Sequence, residues 1–372
     1  MSKAAELANL IGNINAGGGS GQNKNYIINS AMRLAQRGTS TTGLKNTGAV
    51  YTVDRFSYRR NGTWTNFDAK HEQVTITDTL PVSKGLHNAL KVTCTTAEGS
   101  VPSGTECTGI GYYTELQDLY RFGVGTANMK TMTISFYVKA SIATTYGFSI
   151  QAPIHSDHQA IDIPFTVSSA NTYERISITL PTYNVALNTT TDNDVGWRLF
   201  WGLDGVASSR TASAWNNLGS DGFLMPNGVS ATGFSNTLNA TFEITGVQLE
   251  VGDVATEFEH EPVERTLAKC QRYYNRTLDD VAYNQIGGSF MRGNSDKTKG
   301  VIEYPVEMRA KPSVSVIGTN AGAFAVQQGD TGLSGTISFG SQWSTGSDKR
   351  SSWLDFTGAT SGTQGYACQL YR

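Results

Sequence analysis

The chain has 372 residues, of which 38% are hydrophobic, 10% aromatic and 16% charged, and its formal net charge is −2. This balance excludes a disordered chain, which would be poor in aromatic residues, and it lacks the positive surplus that nucleic-acid binding requires. Glycine, at 40 residues, exceeds its usual share, which predicts many tight turns between short strands.

The cysteines and the hydropathy pattern limit the class of protein further. Cys94, Cys107, Cys270 and Cys368 have no C-x-x-C spacing, so we expect reduced core residues and no zinc ribbon or redox motif. We find neither a basic region followed by an apolar stretch at the start nor a run of about 18 apolar residues. The sequence therefore predicts a protein that is made and kept in a cytoplasm, without a membrane partner.

The first segment carries an amphipathic pattern followed by a linker. Residues 2–14 place apolar side chains at i, i+3, i+4 and i+7, namely Leu7, Leu10, Ile11 and Ile14. About three helical turns are marginal alone in water, so this stripe needs its own domain, copies of itself or a docking protein, unless it is a frayed terminus. Residues 16–21 are Gly-rich and flexible. We predict that residues 1–23 form an attachment segment and linker.

The next region, residues 24–260, is typical of short β-strands. Period-two or short apolar runs are broken by turn residues, and they include Val74–Thr77, Ala89–Val92, Met132–Val138, Ile176–Leu180, Trp197–Trp201 and Phe242–Leu249. Parallel strands need long crossovers, which this spacing does not provide, so the pairing is predicted to be antiparallel. A two-sheet sandwich of jelly-roll type is the expected architecture.

Residues 261–278 have the pattern of one helix. Pro262 suits the first helical position, and acidic residues precede basic ones, as the helix dipole favours. The apolar seam consists of Val263, Leu267, Cys270 and Tyr274. Such a narrow seam either packs on a sheet or meets its own copies around an axis.

β-type sequence returns in residues 279–372, where Val301–Tyr304, Ser313–Ile317, Thr336–Phe339 and Gly365–Tyr371 read as strands. The predicted fold class is therefore all-β: a jelly-roll β-sandwich, a linking helix and a smaller C-terminal β-sandwich domain. Since no period of 20 to 50 residues repeats, a repetitive β-helix is excluded.

Three segments resemble a known family. Residues 25–40 with Tyr51–Phe56 are similar to the opening "N-x-I-I-N-G-x-M-x-x-x-Q-R-G … Y-x-x-D-R-W" of phage tail-fibre and related virion proteins with a carbohydrate-binding-module-like jelly roll. Residues 244–260 resemble the strand "x-Q-L-E-x-G-x-x-A-T-x-F-E" that closes this jelly roll. Cys270–Tyr274 and residues 305–314 resemble the family's C-terminal signature "C-Q-R-Y-Y … P-V-x-M-R-x-x-P-T-V".

The resemblance covers residue 25 to the end, and the departures are small: Ser30 stands for the usual Gly and Phe56 for the usual Trp. It implies a fibre-type component of a tailed phage virion, assembled as a homotrimer with other virion proteins and contacting a host-surface glycan. It does not identify the glycan. From the residues alone, the polar side chains that flank the first strands are expected to satisfy backbone groups at the sandwich seam; they are Asn29, Gln36, Arg37, Asp54 and Arg55.

A candidate glycan-binding site lies between residues 192 and 204. Its members are Asp192, Asp194, Trp197, Trp201 and Asp204. Asp and Asn oxygens in a loop suit calcium, although the EF-hand spacing is absent. The alternative is an Asx-rich turn before a buried strand, with Trp197 and Trp201 on the core face.

The sequence gives weaker indications of a transition-metal site or of catalytic residues. His155 and His158, with Asp162, could hold a transition metal if further ligands came from elsewhere. No G-x-S-x-G, H-E-x-x-H or phosphate loop occurs, and no motif singles out the carboxylate pair that a glycosidase needs. We therefore predict a non-enzymatic structural protein; a receptor-degrading glycosidase and a head-attached decoration protein are the alternatives.

Overall fold

The computed structural model describes residues 24–45, 48–100, 102–153, 158–183, 193–217, 223–229, 231–276, 285–294, 297–312, 325–328, 331–333, 338–339, 349–357 and 367–371. The chain divides into two compact units, Met1–Thr266 and Leu267–Arg372. The predicted segment boundaries after residues 23, 260 and 278 stay predictions, and the attachment residues Leu7, Leu10, Ile11 and Ile14 lie outside the described residues.

The elements of the first unit are mostly strands. In chain order they are β1 (Ser40–Thr41), β2 (Val50–Tyr51), β3 (Phe56–Asn61), β4 (Asp68–Thr75), α1 (Thr79–Val82), β5 (Asn88–Thr96), β6 (Cys107–Glu115), α2 (Leu116–Tyr120), β7 (Met132–Ala140), β8 (Thr145–Ala152), β9 (Gln159–Thr166), β10 (Glu174–Leu180), β11 (Val195–Gly205), β12 (Trp215–Asn217) and β13 (Thr241–Val251). Helix α3 (Val263–Gln271) follows them.

These strands form two antiparallel sheets. The first sheet has the order β1-β4-β5-β13-β7-β10, and the second has the order β12-β9-β8-β11-β6-β3-β2. Their interstrand pairs are all antiparallel. The prediction of an all-β fold is confirmed.

The hydrophobic core lies between the two sheets. Alternate residues of each strand point into it, so that Phe136 of β7 meets Trp201 of β11 with ring centroids 5.9 Å apart. Tyr146 of β8 meets Phe242 of β13 at 5.2 Å. Because these pairs join one sheet to the other, the unit is a β-sandwich. Cys94 and Cys107 are free and buried.

Two segments that carry the family resemblance fasten the ends of the sandwich together. The Asn25 side chain donates to the Val247 carbonyl at 3.0 Å and accepts from the Leu249 amide at 3.2 Å. Glu250 in turn accepts from the amide and the hydroxyl of Thr256, at 2.8 and 2.6 Å. We call these contacts the latch. The first described residues are thereby hydrogen-bonded to the last strand of the sandwich.

Asn29 and Asp54 satisfy backbone groups as expected, whereas the side chains of Gln36 and Arg37 contact the Asp54 carboxylate. Asn29 donates to the carbonyls of Leu34 and Asp54, at 2.9 and 3.0 Å, and accepts from the Leu34 amide at 3.0 Å. The Asp54 carboxylate accepts from the Gln36 amide side chain at 2.7 Å, and Arg37 lies 3.9 Å from it. Asn29 tolerates its φ of 58° because its short polar side chain hydrogen-bonds locally.

Helix α3 is found where the sequence predicts a helix, but it ends at Gln271 rather than near residue 278. The amides of Tyr273 and Tyr274 both return to the Cys270 carbonyl, at 2.9 and 3.1 Å, which ends the helix in a turn. Cys270 of the predicted seam is buried and free. In the described chain, no helix combines the length and the apolar character that a membrane span requires.

The described strands of the second unit are β14 (Gln285–Asn294), β15 (Lys297–Glu303), β16 (Ala325–Gln328), β17 (Thr331–Leu333), β18 (Ser338–Phe339), β19 (Ser351–Thr357) and β20 (Ala367–Tyr371). They pair into one antiparallel sheet of order β17-β16-β20-β14-β15-β19-β18. The predicted strand Ser313–Ile317 lies outside the described residues.

Glu98 organises the loop between β3 and β4. Its carboxylate accepts hydrogen bonds from the amides of Thr65, Asn66 and Phe67, at 2.8, 2.8 and 2.6 Å. Burial raises the pKa of this carboxyl, but the three backbone donors lower it, and the net pKa lies below its ordinary value. The ionised form of Glu98 is therefore favoured by folding.

We expect Glu98→Gln to lower the free energy of unfolding at neutral pH by about 1–3 kcal/mol, because buried amides lose their charged acceptor. Since the folded pKa is depressed, the wild-type advantage is present above about pH 4.3, the unfolded value, and is lost as the pH falls through the folded pKa. Urea unfolding at several pH values measures this difference. The matched control is Glu257→Gln, because the Glu257 ion pair with Lys84 is exposed, and it should change stability by less than about 1 kcal/mol.

Candidate functional site

The prediction that Trp197 and Trp201 contact a glycan is wrong. Trp197 and Trp201 are 1% and 0% exposed and belong to the sandwich core, so no sugar ring can stack on them. Their indole nitrogens have no hydrogen-bond partner. The four-residue spacing places both on the core face of β11, which is the alternative that the sequence left open.

Asp204 is also buried, at 0% exposure, and cannot contact a glycan. Its carboxylate accepts from the amides of Thr232 and Ser235, at 3.0 and 2.8 Å, and from the Ser235 hydroxyl at 2.8 Å. A further bond comes from the Gly205 amide at 2.9 Å. Asp204 therefore holds the chain around residues 232–235 against the end of β11, which is a structural role.

The remaining predicted residues are only partly placed. Asp194 is exposed in a bend before β11, and His158 is exposed before β9. Asp192 and His155 lie outside the described residues. Within the described residues no group of three His, Cys, Asp or Glu side chains is placed to hold a metal ion. The calcium and transition-metal hypotheses stay untested.

The second sheet has an outer face whose polar residues the sequence did not single out. In β11, Trp197, Leu199 and Trp201 belong to the core, so Arg198 and Phe200 point to the opposite side. Arg198 pairs in register with Gln151 of β8 and with Tyr113 of β6. These three side chains therefore form a row across the outer face.

Part of this outer face is covered by the chain near residues 223–229. Phe223 stacks on Phe200 with ring centroids 4.4 Å apart, and a Cβ at Gly147 would lie 2.3 Å from the Pro226 ring. The missing side chain at Gly147 lets this segment pack against the sheet. The row around Tyr113 and Arg198 remains half-buried.

Three arginines converge on Tyr113. Arg55 donates a hydrogen bond to the Tyr113 carbonyl, and the guanidinium carbons of Arg59 and Arg198 lie 4.5 and 5.7 Å from its ring centroid. Arg59 also donates to the Tyr51 hydroxyl at 3.4 Å. We call Tyr51, Arg59, Tyr113, Gln151 and Arg198 the arginine–tyrosine cluster. It is the candidate functional site.

A glycine positions Arg59 in this cluster. A Cβ at Gly111 would lie 2.8 Å from Arg59 Cγ, so the stem of Arg59 passes over Gly111 toward Tyr113. Arg59 Nε donates to the Ser57 hydroxyl at 2.9 Å, which fixes the guanidinium. The absence of a side chain at Gly111 thus makes the contact between Arg59 and Tyr113 possible.

Two nitrogen atoms of the cluster lack a hydrogen-bond partner. They are Gln151 Nε2 and Arg198 Nε, and the two residues are direct cross-strand neighbours. A buried donor without an acceptor costs about 1–3 kcal/mol. Natural proteins rarely retain such groups without a reason, and a ligand that supplies acceptors is one such reason.

The nearby carboxylates are engaged elsewhere. Glu115 is 2% exposed and accepts from Gln117 Nε2 at 2.5 Å. For Asp54, burial raises the pKa of the carboxyl above its ordinary value, opposed by the hydrogen bonds from Gln36 and by the charges of Arg37 and Arg55. The cluster therefore presents guanidinium and amide donors beside a phenol ring. This donor set can bind hydroxyl or carboxylate oxygens.

A signal for the cluster was present in the sequence. Arg198 stands between Trp197 and Leu199, and a lone arginine between core residues of a strand must point to the other face. Tyr112 and Tyr113 likewise point to opposite faces, because they are consecutive in β6. Which strands are neighbours, however, comes from the fold and not from the local sequence.

No family model matches this sequence, and no curated protein matches it. Solved structures with some likeness include the enzymatically active domain of tailspike protein 4 of bacteriophage CBA120 (9% identity, TM-score 0.30), matched over 62% of this chain and 22% of that one. The family 11 carbohydrate-binding module of a Clostridium thermocellum cellulosomal cellulase has 13% identity and a TM-score of 0.28, over 60% and 99% of the two chains.

TmCBM61, solved in complex with β-1,4-galactotriose, is 6% identical with a TM-score of 0.27, over 62% of this chain and all of that one, 100%. The chain thus spans about a fifth of the tailspike domain and the full length of the TmCBM61 chain. At these TM-scores the likeness carries no conclusion about function.

We expect Asp204→Ala to lower the free energy of unfolding by about 3 kcal/mol, because buried donors lose their shared acceptor. The measurement is denaturant unfolding followed by tryptophan fluorescence. The matched control is Asp253→Ala, the same change at an exposed position after β13, which should change stability by about 0.5 kcal/mol or less. Equal effects of the two substitutions would contradict the structural role of Asp204.

Proposed function

We propose that this protein is a non-enzymatic, fibre-type structural component of a tailed phage virion, and that its β-sandwich binds a host-surface glycan during adsorption. The observation that carries the binding role is the arginine–tyrosine cluster on the outer face of the second sheet. The virion role rests on the sequence resemblance. The latch supports that resemblance, because the matching residues fasten the fold together.

The cluster suits a sugar for three physical reasons. Guanidinium and amide groups donate several hydrogen bonds in fixed directions, which matches the spaced oxygens of a sugar ring. Tyr113 offers an apolar face beside them, as most small-ligand sites do. The site is built on neighbouring strands of a packed sheet, which holds its side chains more rigidly than loops would.

Binding without cleavage is favoured by the state of the carboxylates on this face. Glycosidases require two carboxyl groups that flank the scissile bond. Asp162, on the outer face of β9, is 0% exposed and is bound by Arg210 at 2.6 Å and by the hydroxyls of Ser149 and Ser208, at 2.7 and 3.0 Å. Asp162 is therefore committed to a structural ion pair.

We expect the protein to bind the surface polysaccharide of the bacterium that propagates the particle, without releasing new reducing ends. Tyr113→Ala should weaken binding at least about tenfold, since one contact typically contributes about 1–3 kcal/mol. Tyr120→Ala, at an exposed tyrosine of helix α2, is the matched control and should bind normally. Biolayer interferometry measures binding, and a reducing-sugar assay measures cleavage. Release of oligosaccharides would contradict the non-enzymatic function and identify the protein as a glycosidase.

We further expect the purified chain to be a trimer, and residues 1–20 to be needed for incorporation into particles but not for folding. The Gly-rich residues 16–21 can span a distance without transmitting orientation, so deletion of residues 1–20 should leave the trimer and the Tm unchanged. Light scattering, calorimetry and complementation of particles that lack the native copy measure these properties. If the truncated chain is still incorporated, attachment to the particle lies in the β-units.

Immunogold labelling of the particle tests its location. Labelling of heads rather than tails would favour the alternative of a head-attached decoration protein.

A further inference from the structure

The arginine–tyrosine cluster brings two cations together on one ring without a carboxylate partner. Some cations of the sandwich have such a partner, as Arg210 has Asp162 at 2.6 Å and Lys139 has Asp78 at 3.0 Å. Single arginines elsewhere, such as Arg60 and Arg175, contact carbonyls and aromatic rings without a second cation on the same ring. Arg59 and Arg198 form no ion pair within the described residues, and their contacts are with hydroxyl groups and the Tyr113 ring.

The position of these two cations makes their lack of a partner informative. Both are half-buried, so water compensates their charges less well than at an exposed site. Both also lie against one ring, which brings two positive charges close together. Like charges at short range repel each other, and a negative group between them would remove this cost.

The polar atoms around Arg198 point to the same ligand chemistry. Arg198 Nε and Gln151 Nε2 are donors without acceptors, and Tyr51 and Ser57 hydroxyls are already hydrogen-bonded to Arg59. The site thus has a surplus of donors and of positive charge. A carboxylate is acceptor-only, has two oxygens and matches the planar guanidinium group in a bidentate manner.

We propose that the ligand of this cluster is an acidic polysaccharide, whose sugar ring lies against Tyr113 and whose carboxylate is bound by Arg59 and Arg198. This inference rests on the proposed glycan-binding function and specifies its substrate class. A neutral glycan would leave both charges uncompensated on binding. Gly111 takes part as a positioning residue, because its missing side chain directs Arg59 toward the ring.

The test uses the host surface polysaccharide in two forms: native, and with its carboxyl groups chemically reduced to alcohols. The full-length wild-type protein should bind the native form and bind the reduced form at least about tenfold more weakly. Binding of the native form should also weaken when the salt concentration rises from about 0.05 to 0.5 M, as the Debye length shortens. Equal binding of both forms would overturn the acidic ligand and leave the proposed function intact. Binding of neither form would overturn the proposed function itself.

Variants locate the effect in the cluster. Arg59→Gln and Arg198→Gln should each weaken binding of the native polysaccharide about tenfold, while Arg33→Gln, the same change at an exposed arginine, should not. Gly111→Val keeps both charges but displaces Arg59, and it should weaken binding similarly. An unchanged Tm for each variant separates these effects from unfolding. Wild-type binding by the Arg59 and Arg198 variants, or a loss in the Arg33 variant as large as theirs, would overturn the proposal.

Discussion

Tyr112 of β6 ties the first described segment to the second sheet, because its hydroxyl accepts a hydrogen bond from the Ile28 amide at 2.9 Å. Burial raises the pKa of Tyr112 above its ordinary value, opposed by the charge of Arg55, so the phenol stays protonated in the core. This bond connects the segment that begins at Asn25, held to β13 by the latch, to the second sheet. With Tyr112 fixed inward, Tyr113 must point outward, and its ring lies against the guanidinium groups of Arg59 and Arg198.

The sequence predicted the β-sandwich because turn residues and period-two apolar runs are local properties. The seam residues were predictable for the same reason: Asn29, Gln36 and Asp54 act within a few turns of the chain or at one strand end. The latch illustrates the limit of such reasoning. The Asn25 and Glu250 motifs could be recognised as a resemblance, but the hydrogen bonds of Asn25 join positions more than 200 residues apart along the chain.

The site could not be predicted in the same way. Residue type alone favoured Trp197, Trp201 and Asp204, since tryptophan and aspartate are common in sugar and metal sites, yet burial decides what each can contact. Strand alternation assigns Arg198 to the face opposite those tryptophans, but which face is exposed depends on the chain near residues 223–229. Gln151, Tyr113 and Arg59 come from three other strands, and their proximity follows from sheet order, which local patterns do not encode.

The donors of the cluster stay without hydrogen-bond acceptors because the sheet that carries them is rigid. On a flexible surface, Gln151 Nε2 and Arg198 Nε would turn toward water or toward neighbouring acceptors. The free-energy cost of the two unpaired donors would then disappear. Here Gln151 and Arg198 are direct cross-strand neighbours in the packed ladder of β8 and β11, and their two donors stay without acceptors. The buried Asp204 contributes to this rigidity from a distance, because its hydrogen bonds fix the end of β11, the strand that carries Arg198. Under the proposed binding role, the stability that is lost locally at the cluster is available as binding free energy.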